Sequence, residues 1–429
     1  MNELIVEGVE ELQGTVRAPP SKSYTHRSVI AASLAEGTSR IRGPLWCDDT
    51  LATVHGCSAF GTEIEMRKKD WMVTGTPTLR MPKDVIDCRS SASTMRFLMP
   101  VSSLAPGVSV FVGSRSLSRR PMQPLISALR QLGAECRSLR GDGYPPIIVL
   151  GGGLKGGNAK MVGHVSSQFV SGLLFACPLA QESTKLTITT ELESKPYVHM
   201  TLQTANQFGI HLEVDDGLKS YSIPPNQEYH PTDFSVEGDF SAAAFLMAAA
   251  VVTNSSIKIT NLARNSLQGD KAIIDILESM GVQLEVSEDF VKIERGAELR
   301  GTRINVKDTP DLAPICAILA PFAEGRTEIV GGKRLRIKES DRLEALYKGL
   351  VRMGAKIKAS EDGFVIEGAT RLRGTSLDPK NDHRIAMAYA IAALGADGET
   401  RISDPDCINK SYPEFLRDLK EIGAIIHVG

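Results

Sequence analysis

Two hydrophobic patterns alternate along the chain, six times each. In the first, apolar residues recur at helical spacing, a glycine follows, and a stretch of alternating polarity comes next. The copies are LATVHGCSAFGTEIEM, LISALRQLGAEC, TLQTANQFGIHLEV, IIDILESMGVQLEV, LYKGLVRMGAKIK and FLRDLKEIGAIIHV. The spacing predicts an amphipathic helix running into a strand. The glycine predicts the helix end, because the C′ position takes φ > 0 and glycine does so without steric penalty. These glycines (Gly61, Gly133, Gly209, Gly281, Gly354 and Gly423) are 69 to 76 residues apart. In the second pattern a helix of small residues gives way to a short turn and a strand. Its copies are SLAEGTSRIRG, LAPGVSVFVG, LAQESTKLTIT, VVTNSSIKIT, PFAEGRTEIVG and LGADGETRIS.

Over 429 residues the six paired copies make units of about 70 residues, larger than the roughly 20–50 of a solenoid repeat. The expected fold is a duplicated α/β (α+β) unit with two helices and several strands. Three units lie on each side of YSIPPNQEYHPTDF, residues 221–234. Pro224, Pro225 and Pro231 oppose regular structure there, so a domain boundary is placed in it. Pro19 and Pro20 mark a candidate second crossing.

Composition narrows the classes. With 42% hydrophobic and 23% charged residues the chain reads as soluble and globular. Lys and Arg number 49 against 51 Asp and Glu, so the basic excess that general nucleic-acid binding needs is missing. The longest apolar run, Ala242–Val252, is 11 residues, and a membrane span needs about 20. The start, MNELIVEGVEELQG, has no apolar h-region, so no signal peptide is expected. Seven cysteines without a CxxC read as reduced thiols of a cytoplasmic protein. Eight histidines without HxxxH or HExxH spacing give no zinc site, and no metal is expected.

A polar motif precedes each small-residue helix. In order these are Ser21-Lys22-Ser23, Ser90-Ser91-Ala92-Ser93, Ser166-Ser167-Gln168, Gly238-Asp239-Phe240-Ser241, Thr309-Pro310-Asp311 and Asn381-Asp382-His383-Arg384. Ser, Asp and Asn are N-cap residues, and helix N-termini attract anions. Plain capping explains any one of them; six equivalent helix starts packed around an axis would point the same way and meet. Lys22, Arg27, Arg96, Arg119, Arg120, Lys195, Arg336, Lys338, Arg342, Arg384 and Lys410 lie in or beside such motifs. In a chain of net charge −2 they imply a focused positive site suited to carboxylates and phosphates. Arg120 precedes a proline able to take N1 of the next helix. The densest charged run, RLRIKESDR (334–342), opens a helix in which Glu339 and Arg342 are spaced as an ion pair. Carboxylates among cations make Asp311 and Glu339 candidates for proton transfer. GxSxG and GxxxxGK[ST] motifs are absent and no GxGxxG opens a helix; the run Gly151-Gly152-Gly153, followed by Leu-Lys-Gly-Gly, reads as a loop and not as a phosphate cradle.

The motifs SKSYTHR, RPM, SSQ, ELESKPY, RIKESDR and NDHR, with Asp311 and Lys410, resemble the 5-enolpyruvylshikimate-3-phosphate synthase family in order and spacing over the whole chain. The resemblance implies a two-domain, inside-out α/β barrel of six βαβαββ repeats, three per domain. Residues 1–18 and 232–429 would form one domain and 19–231 the other, with the active site in the cleft between them. It implies transfer of the enolpyruvyl group of phosphoenolpyruvate to the 5-hydroxyl of shikimate 3-phosphate, with phosphate released. Shikimate 3-phosphate would be held by Lys22, Ser23, Arg27, Ser166, Ser167, Gln168, Ser194, Tyr197, Asp311 and Lys338. Phosphoenolpyruvate would be held by Lys22, Ala92, Arg120, Gln168, Arg342, Arg384 and Lys410. Lys22, Asp311 and Glu339 would carry the catalysis: Asp311 takes the hydroxyl proton, and Glu339 or Lys22 serves the enolpyruvyl carbon and leaving group. No metal or cofactor is needed, and the implied partners are the two small substrates, with no nucleic acid or membrane and a monomeric enzyme.

One stretch departs from the family. Its usual Gly-Asn-Ser/Ala-Gly-Thr reads Arg89-Ser90-Ser91-Ala92-Ser93 here. The methyl of Ala92 is expected to intrude on ligands slightly longer than phosphoenolpyruvate, reducing sensitivity to glyphosate. Two alternatives compete. A UDP-N-acetylglucosamine enolpyruvyl transferase would carry Lys-Asn in its first motif and a cysteine near residues 114–120, where this chain has SRSLSRR. A non-catalytic anion-binding descendant has only the Ser90–Ser93 change in its favour.

Overall fold

The computed structural model describes residues 2–76 and 78–429. Within them the two hydrophobic patterns become helices in strict alternation. These are α1 (Lys22–Leu34), α2 (Asp48–Ala59), α3 (Ala92–Ser102), α4 (Gln123–Gln131), α5 (Ser167–Ala176), α6 (Lys195–Gln207), α7 (Phe240–Val252), α8 (Ile273–Ser279), α9 (Ala313–Leu319), α10 (Arg342–Arg352), α11 (His383–Leu394) and α12 (Phe415–Glu421). The even-numbered helices are the amphipathic ones. Each ends two residues before its glycine, with one cap residue between, and all six glycines have φ between +85° and +107°. The residue after the glycine then donates back into the last turn, as Ala134 N does to Leu129 O at 3.0 Å and Ala424 N to Leu419 O at 3.0 Å. These bonds satisfy carbonyls that the helix end would otherwise leave bare.

The odd-numbered helices are enclosed. Every residue from Phe240 to Val251 in α7 is buried, as is all of α11. A helix with no polar face can rest only inside a core. Small residues let such helices approach closely: a Cβ at Gly172 of α5 would overlap the carbonyl oxygen of Arg96 in α3.

Among the described residues the strands form six four-stranded sheets. Each has one parallel pair and two antiparallel pairs, so the repeat seen in the sequence is a repeat of sheet topology. Chain order alone does not assign every strand. Gln13–Arg17, which precedes α1, pairs in parallel with Ser256–Thr260, which follows α7. Asp233–Ser235, which precedes α7, pairs in parallel with Gly37–Arg42, which follows α1. Glu3–Glu7 completes the last sheet, lying between Glu399–Ser403 and Ile426–Val428.

The chain accordingly separates into two compact units, Met1–Pro19 with Glu237–Gly429, and Pro20–Val236. The crossings fall after Pro19 and after Val236, not at 18/19 and 231/232, because the short strand Asp233–Ser235 still belongs to the first sheet of the second unit. Each unit contains three of the sheets and its own hydrophobic core. No helix is long and apolar enough to cross a membrane among the described residues. Cys47, Cys57, Cys88, Cys136, Cys177, Cys316 and Cys407 are free thiols, all buried except the half-buried Cys407.

Candidate active site

In the unit Pro20–Val236 the polar motifs open the enclosed helices. Ser21 caps α1, Ser91 caps α3 and Ser166 caps α5, each side chain accepting a first-turn backbone N–H. Lys22 is the first residue of α1, and its Nζ lies 2.9 Å from Asp49 Oδ2 at the start of α2. Ser23 follows it. Arg27, one turn on, is buried, and its pKa falls to about 10 through that burial, which leaves it a cation at neutral pH. Its Nη1 donates to Ser23 O at 2.9 Å, its Nη2 to Tyr197 O at 2.8 Å and its Nε to Thr201 Oγ1 at 2.9 Å. Arg27 thus joins α1 to α6.

Arg96 joins α3 to α5. Its Nη1 donates to Ser166 Oγ at 3.2 Å and Gln168 Oε1 at 2.9 Å, and Gln168 Nε2 donates to Ser93 Oγ at 2.7 Å. Ser167 and Ala92 are buried in the first turns of α5 and α3. Ser194 caps α6 in a left-handed conformation, φ 56°, with Tyr197 one turn further. Arg120, 5% exposed, ends a short 3₁₀ turn, Leu117–Arg119. Pro121 does not take the N1 position expected for it: it lies before the N-cap Met122, N1 of α4 is Gln123, and Pro124 is the second helical residue. Ser90 Oγ donates to Ser114 Oγ at 2.9 Å.

The other unit carries a denser ionic network around Arg342. This side chain is 1% exposed, yet four of its five N–H groups reach carboxylates. Its Nε donates to Asp382 Oδ2 at 2.8 Å and its Nη2 to Asp382 Oδ1 at 3.2 Å. Its Nη1 donates to Asp311 Oδ1 at 2.9 Å and its Nη2 to Glu339 Oε2 at 2.9 Å. Burial opposes the charge on Arg342, but the three carboxylates outweigh it and raise its pKa. Lys410 Nζ is 2.6 Å from Glu339 Oε1. Arg384 Nη2 is 3.2 Å and Lys338 Nζ 3.7 Å from the Asp311 carboxylate. Four cations therefore surround three carboxylates in a largely buried setting.

The field has opposite effects on its members. Burial would raise the Asp311 pKa, but Arg384, Lys338 and Arg342 together hold it well below the usual carboxylate range. Burial lowers Lys338 to about 8 despite the nearby Asp311. Asp270 is pushed up to about 7, first by burial and then by the charge of Asp311; its Oδ2 accepts from Ser241 Oγ.

Local geometry explains why Asp311 differs from its counterparts. Asp239 and Asp382 spend an oxygen capping α7 and α11. Asp311 caps nothing: α9 begins two residues later, after Leu312 and without a side-chain cap. Its carboxylate is left to the three cations. The helix after RLRIKESDR starts later than the run itself, with Asp341 as cap and Arg342 first; the 3₁₀ turn Lys333–Ile337 precedes it.

Sequence reasoning assigned no role to Asp49, Asp270 and the pairing of Asp382 with Arg342, and Arg96 entered only as one of many cations. Arg342 and Asp382 are 40 residues apart, a distance over which no periodicity carries information. Among the described residues no group of three or more His, Cys, Asp or Glu side chains is placed to hold a metal ion.

Known proteins share this architecture. The chain superposes over its full length on an enolpyruvyl transferase from Streptomyces tendae, NikO, with a TM-score of 0.81 at 20% identity, which defines the fold class. An EPSP synthase structure from Acinetobacter baumannii gives a TM-score of 0.84 at 28% identity, covering 100% of this chain and 99% of that one. The 3-phosphoshikimate 1-carboxyvinyltransferase of Methanocaldococcus jannaschii is 46% identical over 429 residues, 99% of each chain. Residues 6–419 match the family described as EPSP synthase (3-phosphoshikimate 1-carboxyvinyltransferase), and the chain belongs to that family.

Proposed function

We propose that the protein transfers the enolpyruvyl group of phosphoenolpyruvate to the 5-hydroxyl of shikimate 3-phosphate, releasing phosphate, as the carboxyvinyl-transfer step of the shikimate pathway. The observation that carries this reading is the Asp311 carboxylate set among Lys338, Arg342 and Arg384, with Glu339 bridging Arg342 and Lys410. Both substrates bear a phosphate and a carboxylate, and planar guanidinium groups pair with each.

The chemistry is addition followed by elimination. The substrate hydroxyl oxygen bonds to C2 of phosphoenolpyruvate, C3 gains a proton, and the hydroxyl proton passes to Asp311. The resulting tetrahedral ketal then loses phosphate from C2 and a proton from C3, which restores the vinyl group. Glu339 or Lys22 exchanges the C3 proton. In the ligand-free protein Asp311 is a weak base, since three cations stabilise its charge. Substrate anions that bind Arg384 and Lys338 draw off part of that field and make Asp311 more basic when a proton must be taken.

In this reading Ser23, Arg27, Ser166, Ser167, Gln168, Ser194, Tyr197 and Lys338 hold shikimate 3-phosphate. Ala92, Arg120, Gln168, Arg342, Arg384 and Lys410 hold phosphoenolpyruvate, and Lys22 serves both. Arg342 has one Nη1 hydrogen left for a substrate oxygen among the described contacts. The enzyme acts as a cytoplasmic monomer and needs no cofactor, because phosphoenolpyruvate is itself activated. Phosphate release from phosphoenolpyruvate, measured with and without shikimate 3-phosphate, tests the assignment. Release that needs both compounds is expected; release without shikimate 3-phosphate, or none with both, contradicts it.

A further inference from the structure

A line of buried side chains ties the first turn of α3 to α1 and α2, and the reaction scheme above does not use it. His26 Nδ1 in α1 lies 2.7 Å from the Thr53 hydroxyl in α2. Thr53 Oγ1 lies 2.7 Å from Thr94 Oγ1 in α3. Thr94 Oγ1 reaches Ser91 Oγ at 2.8 Å and the carbonyl oxygen of Asp49 at 3.3 Å. His26, Thr53, Thr94 and Ser91 are each at most 1% exposed.

Counting hydrogens gives the line a direction. Burial keeps His26 neutral, with its pKa lowered to about 3, so the ring carries one N–H. Its Nε2 is buried with no partner among the described residues. A hydrogen on Nε2 would be an orphaned buried donor, which folded proteins avoid more strictly than an unsatisfied acceptor. The hydrogen therefore resides on Nδ1. His26 donates to Thr53, Thr53 to Thr94, and Thr94 to Ser91. Ser91 Oγ receives a second donor, the Thr94 backbone N–H at 3.2 Å, and the cap oxygen is held from two sides.

We propose that His26, Thr53 and Thr94 are positioning residues that set the turn Ser91–Ser93 for recognition of phosphoenolpyruvate. The proposal rests on the reading that this turn meets that substrate. Its support is where the line ends. It stops at the cap of α3, beside Ala92 and Ser93. Apolar side chains at 26, 53 and 94 would fill the same space with nothing to desolvate. A polar line there trades stability for one fixed geometry.

Thr94→Val removes the hydroxyl at nearly constant shape, and Thr94→Ser keeps it. In Thr94→Val the KM for phosphoenolpyruvate is expected to rise about tenfold or more, as for small misplacements of a binding group. Its kcat and its KM for shikimate 3-phosphate should stay within about twofold of wild type, and Thr94→Ser should restore all three. Thr53→Val should reproduce the effect, and the double valine variant should add little to either, since both break one line. Thermal melting confirms that each variant is folded, and Thr53→Val with Thr94→Ser decides the matter if Thr94→Val does not fold. An unmoved KM for phosphoenolpyruvate in a folded valine variant, or equal losses toward both substrates, overturns the proposal alone. Wild-type protein that releases no phosphate from the two substrates overturns the functional reading and the proposal with it.

Discussion

A carboxylate pressed among three cations is an unusual choice of base, and Asp311 is such a carboxylate. In the proposed mechanism its role as base depends on the substrates competing for those cations. Asp311→Asn and Glu339→Gln should each lower kcat by about 10² or more, the usual worth of a positioned proton-transfer group, with smaller changes in KM. Steady-state kinetics checks this; near-wild-type turnover in Asp311→Asn would remove it from the chemistry. Lys338 supplies a pH signature. Burial has lowered it to about 8, so it loses its charge as pH rises through that value. Only the protonated form attracts shikimate 3-phosphate, so kcat/KM for that substrate should fall above pH 8 and Lys338→Arg should abolish that limb. At Ala92 one methyl separates this chain from the family's glycine. Ala92→Gly should increase inhibition by glyphosate about tenfold or more, within the range one methylene commands in a tight pocket. The ion pairs of Lys22, Arg342 and Arg384 involve cations that were legible at this scale because they stand in distinctive local motifs. Asp49 and Asp270 were not, since an acidic residue at a helix start reads as a complement to the dipole until its partner is seen.

At the scale of elements the repeat was legible because helix periodicity and glycine stops are local. All six glycines lie where expected and all adopt φ > 0. The motif before α9 looked like another cap, but Pro310 and Pro314 flank a start at which Asp311 is not the capping residue. The exchange of Gln13–Arg17 and Asp233–Ser235 was signalled by Pro19-Pro20 and by the family resemblance and not by the strands themselves, because strands of five and three residues cannot declare which sheet they join. That exchange has a measurable consequence. Leu4, Val6, Leu12 and Val16, in and beside Glu3–Glu7 and Gln13–Arg17, are each at most 3% exposed. At about 1.5–3 kcal/mol each their loss rivals the roughly 5–15 kcal/mol stability of a whole domain. Deleting residues 2–18 should therefore abolish folding of the unit containing Glu237–Gly429 while Pro20–Val236 keeps its protected amides. Hydrogen exchange resolved by segment reads both; full protection throughout would show that the strands are dispensable.

On the scale of the whole molecule, the chain forms two units with separate cores. One holds Lys22, Arg27, Gln168 and Arg120; the other holds Asp311, Glu339, Arg342, Arg384 and Lys410. The central claim is enolpyruvyl transfer through addition and elimination at C2, and it makes an isotopic prediction. In deuterated water, C3 gains a deuteron on addition and the resulting methyl group loses a hydron on elimination. Proton and phosphorus NMR of the reaction should show phosphate and a new vinyl ether formed together, with deuterium in the methylene group, only when shikimate 3-phosphate is present. Phosphate accompanied by pyruvate, or a vinyl ether whose methylene protons never exchange, would contradict the account.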